Sequence, residues 1–146
     1  MELTDEQIVQ WIRNTVVPGQ VWSIAMTQSE GVTPQLGYKS RRKFFVILGI
    51  DALGNVYGGV VINSRVNSNL PRSITDLHMP LSQQRNSFLL YDSFVNCAEL
   101  KEIKAQRFLA AKMIGSVHDE DFELIKTTII GSELETEEHL RTFGLI

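Results

Sequence analysis

Cysteine occurs once in this 146-residue chain, at Cys97. A single thiol closes no disulfide within the chain and forms no Cys-x-x-Cys metal knuckle, so a reducing cytoplasm suits it. Long apolar runs are missing as well. No stretch approaches the ~18 residues that span a membrane, and Glu2-Leu3-Thr4-Asp5-Glu6 places acid where a signal peptide carries positive charge. A soluble, cytoplasmic protein without membrane contact is the expectation. Net positive charge is also lacking: 14 Lys and Arg against 17 Asp and Glu leave a formal charge of −3. That excludes a surface that is basic all over, so any site for a polyanion must be local. None of the three histidines stands in a triad-like context with Ser or Cys.

What is present is charge of both signs, separated along the chain. Lys39-Ser40-Arg41-Arg42-Lys43 puts four cations within five residues, whereas the acid is late, in His118-Asp119-Glu120-Asp121 and Glu133-Leu134-Glu135-Thr136-Glu137-Glu138. The clustered cations repel one another and stay solvated unless a partner brings negative charge, as an RNA phosphate would. With 43% hydrophobic residues, the chain has enough apolar material for one domain over residues 1–146.

Thr4-Asp5-Glu6-Gln7 is a capping-box pattern, and Ile8, Trp11, Ile12 and Thr15 or Val16 recur at helical spacing, predicting a helix over 5–15 that Val17-Pro18-Gly19 stops. Val21–Met26 reads as a strand, and Thr27–Lys39, with Gly31, Pro34 and Gly37, as a long loop of the kind that is usually functional or disordered. Phe44–Ile50 and Val56–Ile62 flank the turn residues Asp51–Asn55 as a hairpin, with Gly58-Gly59 marking a bulge or bend. Leu77, Met79 and Leu81 alternate with Asp76, His78 and Pro80, predicting an edge strand with His78 toward solvent. Phe88–Val95 reads as a further strand, Glu99–Ala111 as helical, and Lys112–Gly115 as a last short strand. Asp119–Ile130 places Phe122, Ile125 and Ile129 on one helical face, and Ser132-Glu133-Leu134-Glu135 suggests a second capping box opening a helix over 133–143.

Several conspicuous residues have ordinary structural explanations. Cys97 reads as a small buried hydrophobe, His118 as a helix N-cap, His139 as part of a charged helix face, and Trp11 and Trp22 as core or interface residues. The carboxylates after His118 suit the positive end of a helix, which accounts for them without a metal. Asn63 and Ser64, at a strand end, are turn formers or substrate contacts. Tyr38 stands beside the cations, where its ring could stack on an unpaired base.

Strand, long loop, dense positive charge, strand is an order by which a small β-barrel presents cations beside its mouth. Pro18-Gly19-Gln20-Val21-Trp22, the Gly37–Arg42 loop end, Val60-Val61-Ile62-Asn63-Ser64, Ser87-Phe88-Leu89-Leu90-Tyr91-Asp92, and Ile114-Gly115-Ser116-Val117 before Asp121-Phe122-Glu123-Leu124-Ile125 resemble the MazF/PemK-like toxins. The order and spacing of these blocks match over roughly Pro18 to Ile130, and the helix at each end lies outside the match. The resemblance implies a mainly β fold with helices, an SH3-like (CcdB/PemK-like) small barrel with its core near 18–117 and additional N- and C-terminal helices. It further implies a homodimer that cleaves single-stranded RNA without a metal or other cofactor and is neutralised by an acidic antitoxin peptide.

In those toxins an arginine at the end of the first long loop, usually followed by proline, and a hydroxyl residue after the third strand surround the scissile phosphate. The matching positions here are Arg42 and Asn63 or Ser64, with Lys43 where the proline would stand; the polar residue after a later strand corresponds to Asp92 or Ser93. The implied site is catalytic at Arg42, Ser64 and Asn63, with Tyr38, Lys39, Arg41, Lys43, Arg65 and Ser93 on substrate.

Cleavage of RNA by its own 2′-hydroxyl requires a base near that oxygen, donors on the phosphate, and a proton for the leaving 5′-oxygen. A guanidinium offers planar paired donors and a fixed charge, so Arg42 suits the phosphate, with Arg41 or Lys43 as auxiliaries, but it is a poor base. The same barrel without catalysis would be an RNA- or protein-binding module. Convergence of Arg42 with Asn63-Ser64 on one pocket favours the enzyme, and divergence favours the module.

Overall fold

The computed structural model describes residues 2–34 and 36–146, so Gln35, inside the expected long loop, lies outside the described residues. Helix α1 (Asp5–Thr15) opens on the expected capping box, the Thr4 side chain accepting from the Gln7 N–H and the Gln7 side chain accepting from the Thr4 N–H. Strand β1 (Gln20–Met26) follows, then a single 3-10 turn at Gln28–Glu30 and the rest of the loop. Strands β2 (Arg41–Ile50) and β3 (Val56–Asn63) form the expected hairpin. A one-turn helix α2 (Arg72–Thr75) leads to β4 (His78–Leu81), β5 (Ser93–Asn96) and β6 (Lys101–Lys104); a 3-10 segment (Ala105–Ala110) precedes β7 (Lys112–Ser116). Helices α3 (Asp119–Gly131) and α4 (Glu137–Thr142) complete the described chain.

The seven strands make one antiparallel, barrel-like sheet in the order β4-β5-β3-β2-β1-β7. Beyond that path β6 also pairs with β3, so β3 meets two strands on its outer edge: β6 along Val56–Gly59 and β5 at Ile62–Asn63. Because successive side chains on a strand point to opposite faces, continuous apolar strands need cover on both. On one face Val21, Val46, Val60 and Ile62 pack with Ile125 and Ile129 of α3 and Leu140 of α4. On the other, Trp22, Phe45, Ile47, Tyr57 and Val61 pack with Ile12 and Val16 at the end of α1 and with Phe108. Phe108 meets Trp22 and Tyr57 edge-on, at centroid separations of 5.6 and 4.9 Å. The Tyr57 hydroxyl donates to the Val16 carbonyl at 2.9 Å, tying α1 to β3. Ile12 and Phe143 therefore belong to the core, while Trp11 remains half exposed instead of entering it.

Gly58 and Gly59 serve close approach. The register slips in β2, between Ile47 and Gly49, and the β3 glycines face neighbours that leave no space for a side chain. A Cβ on Gly58 would lie 2.5 Å from the Phe143 ring, and one on Gly59 2.1 Å from the Val46 carbonyl oxygen.

Several sequence expectations are corrected. Phe88–Val95 is not one strand: only Ser93–Asn96 pairs, and Phe88–Asp92 is irregular, with Leu89 buried and Leu90 exposed. Glu99–Ala111 is not an α-helix. Lys101 and Ile103 are buried and alternate with exposed Glu102 and Lys104, a period of two that suits pairing with β3, and Ala105–Ala110 winds as 3-10. The second capping box is absent because Ser132 closes α3, while Thr136 caps α4 by accepting from the His139 N–H; the helix is thus 137–142, not 133–143. His78 is buried, not solvent-facing. His118 is the N-cap of α3, accepting from the Glu120 N–H, and Cys97 is fully buried, as expected.

No helix among the described residues is long and apolar enough to cross a membrane.

Candidate functional site

Alternation along β2 divides the cationic run. Arg41 and Lys43 share the face of Phe45 and Ile47, whereas Arg42 shares that of Phe44 and Val46. These cations begin the strand; they are not the end of a loop as the sequence suggests, and pairing with β1 fixes their directions. The Arg42 guanidinium donates to the Ser23 carbonyl at 3.0 Å and to the Ser23 hydroxyl at 3.3 Å. Two β3 residues lie opposite: the hairpin register pairs Phe44 with Ile62, bringing Lys43 beside Asn63, and the Lys43 ammonium donates to the Asn63 side-chain oxygen.

Two adjoining depressions open here. A cleft of about 600 Å³ is bordered by Arg41, Lys43, Asn63, Ser64 and Arg65, and on its far wall by His78 and Asn96. Its described lining carries two guanidinium groups, one ammonium and no carboxylate. A smaller depression of about 190 Å³ brings Arg42 together with Arg41, Lys43, Asn63 and Ser64, against Leu89, Leu90 and Tyr91. Arg42, Asn63 and Ser64 therefore converge, with Arg41 and Lys43 reaching both depressions.

The remaining candidates lie elsewhere or face inward. Tyr38 and Lys39 border a separate depression with Thr27 and Pro34. Ser93 is buried and donates to the Tyr91 carbonyl at 3.0 Å, though it touches the smaller depression. Asp92 accepts from the Gln83 N–H at 2.9 Å, a structural task, and borders neither depression.

Burial on this cationic wall, followed by the charges of Arg41 and Lys101, pushes the Lys43 ammonium down to about 8. Lys101 is itself buried, held by the Glu30 carbonyl and by the Glu99 carboxylate at 2.9 Å. Such a lysine exchanges its proton near neutrality, which an exposed one does not. Across the cleft, the Nδ1 of His78 lies 3.0 Å from the Ile74 carbonyl. A carbonyl only accepts, so in the neutral ring Nδ1 carries the hydrogen and the Nε2 lone pair is left free.

Sequence reading missed His78, Asn96 and Lys101 as parts of this site. His78 and Asn96 are register partners on β4 and β5, a pairing with no short-range signature. Lys101 falls in the stretch read as helical. Arg85, outside the site, holds Glu120 at 3.0 Å and approaches Asp121 at 3.6 Å, so these two acids are engaged in fixing the start of α3.

Among curated proteins none matches the sequence significantly. The fold is similar to that of a chain in the crystal structure of MazE-MazF (Form-III) from Deinococcus radiodurans, with a TM-score of 0.53 at 10% sequence identity, covering 78% of this chain and 92% of that one. At that identity the likeness speaks for the fold. The family is carried by the sequence itself: residues 18–132, β1 through the end of α3, match the family model of the PemK-like, MazF-like toxins. With most of the chain inside the match and α1 and α4 flanking it, this protein belongs to the PemK-like, MazF-like toxin family of type II toxin-antitoxin systems.

Proposed function

We propose that the protein is an endoribonuclease of toxin type, acting in the cytoplasm on single-stranded RNA and using the substrate's own 2′-hydroxyl, with no metal required. The observation that carries this reading is the convergence of Arg41, Arg42, Lys43, Asn63 and Ser64 on adjoining depressions. Guanidinium forks match the non-bridging oxygens of a phosphate, and in a partly dehydrated cleft such donors favour the more charged transition state. The distribution of charge agrees: a molecule of net charge −3 concentrates cations on one wall.

Incubation of the purified protein with mixed-sequence RNA in chelator, followed by end mapping, tests it. Discrete cuts leaving 2′,3′-cyclic phosphate termini are expected. Intact RNA that is nevertheless retained would replace this reading with that of a non-catalytic RNA- or protein-binding module.

The partner of the same surface is an acidic, amphipathic antitoxin peptide. Leu90 and Tyr91 stand exposed beside Arg41 and Arg42, so acidic and apolar groups of one peptide would both find complements, and peptide and RNA would compete. The Deinococcus radiodurans structure is of MazE-MazF. Self-association into a homodimer is part of the proposal, and sedimentation of the full chain measures it.

A further inference from the structure

Resting on the ribonuclease reading, we propose that Lys43 and His78 are the acid–base pair of the cleft, His78 Nε2 taking the proton of the 2′-hydroxyl and Lys43 Nζ supplying one to the leaving 5′-oxygen. As the 2′-oxygen forms its bond to phosphorus, the bond from phosphorus to the 5′-oxygen breaks. The products are a 2′,3′-cyclic phosphate and a free 5′-hydroxyl, with one proton gained by His78 and one lost by Lys43.

Position argues first. The two side chains border one cleft, Lys43 on β2 and His78 on β4, with β3 and β5 between them in the sheet, and attack and departure take place on opposite sides of a phosphorus atom. The His78 ring is held by the Ile74 carbonyl at Nδ1, which selects the tautomer with a free Nε2. Lys43 is held by Asn63, which accepts one of its three hydrogens and leaves two. The lysine that stands in the family's proline position and the amide that stands near its hydroxyl position thus bond to each other, a joint departure that builds one device.

Chemistry removes the alternatives. A guanidinium, fixed in charge, is neither a ready proton donor nor a base, which removes the arginines. Ser64 and Asn63 are neither bases nor acids near neutrality, and Cys97 is sealed in the core. Lys43, pushed down to about 8, is largely protonated at neutral pH yet gives up its proton more readily than an exposed lysine. The groups facing His78 are Arg41, Lys43 and Arg65 across the cleft and uncharged Asn96 from β5; α2, beneath the ring, carries Arg72 and is followed by Asp76.

The test is single-turnover cleavage, against pH, of an RNA that the wild-type protein cuts, alongside an RNA whose scissile 5′-bridging oxygen is replaced by sulfur. A thiolate departs without a proton. Lys43→Ala should therefore lose about a hundredfold on ordinary RNA and recover most of that loss on the sulfur-bridged one. His78→Gln should lose a similar factor on both, while still binding RNA. Should His78→Gln fold poorly, His78→Ala with added imidazole serves, and rescue by imidazole is expected. Wild-type rates in the His78 variants, or no recovery of Lys43→Ala on sulfur-bridged RNA, would overturn the pair while leaving the ribonuclease reading intact. A wild-type protein that cuts no RNA overturns both.

Discussion

Arg107 meets Glu30 at 3.0 Å, closing a link between the 3-10 segment before β7 and the loop that leaves β1. The Arg107 guanidinium also donates to the Ala25 carbonyl, and Glu30 receives the Thr27 N–H and hydroxyl at 3.1 Å and the Ser29 hydroxyl. Lys101, whose charge helps depress Lys43, donates to the Glu30 carbonyl. The loop behind the cationic wall is thereby fastened.

Burial raises the Glu30 carboxyl, but the hydrogen bonds from Ser29, Thr27 and Arg107 outweigh it and leave the group at about 2 instead of 4.5. A carboxyl lowered by folding stabilises the native state above 4.5, and that contribution is lost as pH falls from there toward 2. Discounted for water near the loop, it is on the order of 2 kcal/mol. Urea titrations between pH 3 and 7 should show wild type losing more stability toward acid than Glu30→Gln; parallel curves would contradict the link.

Arg42→Ala should lower cleavage by about a hundredfold or more, the loss expected when a preorganised donor to the transition state is removed, with melting little changed because Arg42 contributes nothing apolar to the core. Ser64→Ala and Asn63→Ala separate hydroxyl from amide as the polar partner. Asn63→Ala is expected to cost more, since it also frees Lys43. Initial rates on one mapped RNA site decide both.

Binding of RNA should weaken with salt. On a single strand each neutralised phosphate contributes about 0.7 to the slope of log K against log salt. Arg65→Ala should reduce that slope by roughly one such increment, because Arg65 borders the larger cleft. Fluorescence anisotropy over a salt series measures it; an unchanged slope would remove Arg65 from the RNA path.

Gly58→Ala should destabilise by about 1–3 kcal/mol, the usual range for overpacking a filled core, since its methyl would meet the buried Phe143 ring. Gly49→Ala should cost more: its Cβ would fall 1.9 Å from the Phe143 carbonyl oxygen, and backbone yields less readily than a ring. Gly131→Ala, with nothing within 4 Å at the end of α3, serves as the tolerant control. Denaturation midpoints rank the three.

What the sequence made legible was local or periodic. Thr4 and Gln7 are three residues apart and find each other in any helix start, and the β2–β3 hairpin announces itself through two apolar runs around turn residues. Glu99–Ala111 was illegible because Lys101 and Lys104 read as exposed helical positions until β3 is available to pair with them. His78 misled for a similar reason: its burial comes from the wall formed with Asn96, a residue distant in sequence. Within the site, the cationic run and the Asn63-Ser64 strand end were readable, whereas the bond between Lys43 and Asn63 depends on a register that residue types do not encode.

The cleft spans two separately built pieces. Arg41, Lys43 and Asn63 belong to the β1–β2–β3 meander, and His78 and Asn96 to the β4–β5 hairpin, and the ladder joining the pieces consists of two residue pairs, Ile62 with Val95 and Asn63 with Phe94. Leu81 and Val95 pack in one core with Val46, Val60 and Ile62, so packing as well as this short ladder sets His78 relative to Lys43. An RNA bound across both pieces would bridge that ladder, so amide exchange at Phe94 and Val95 should slow when a non-cleavable RNA binds.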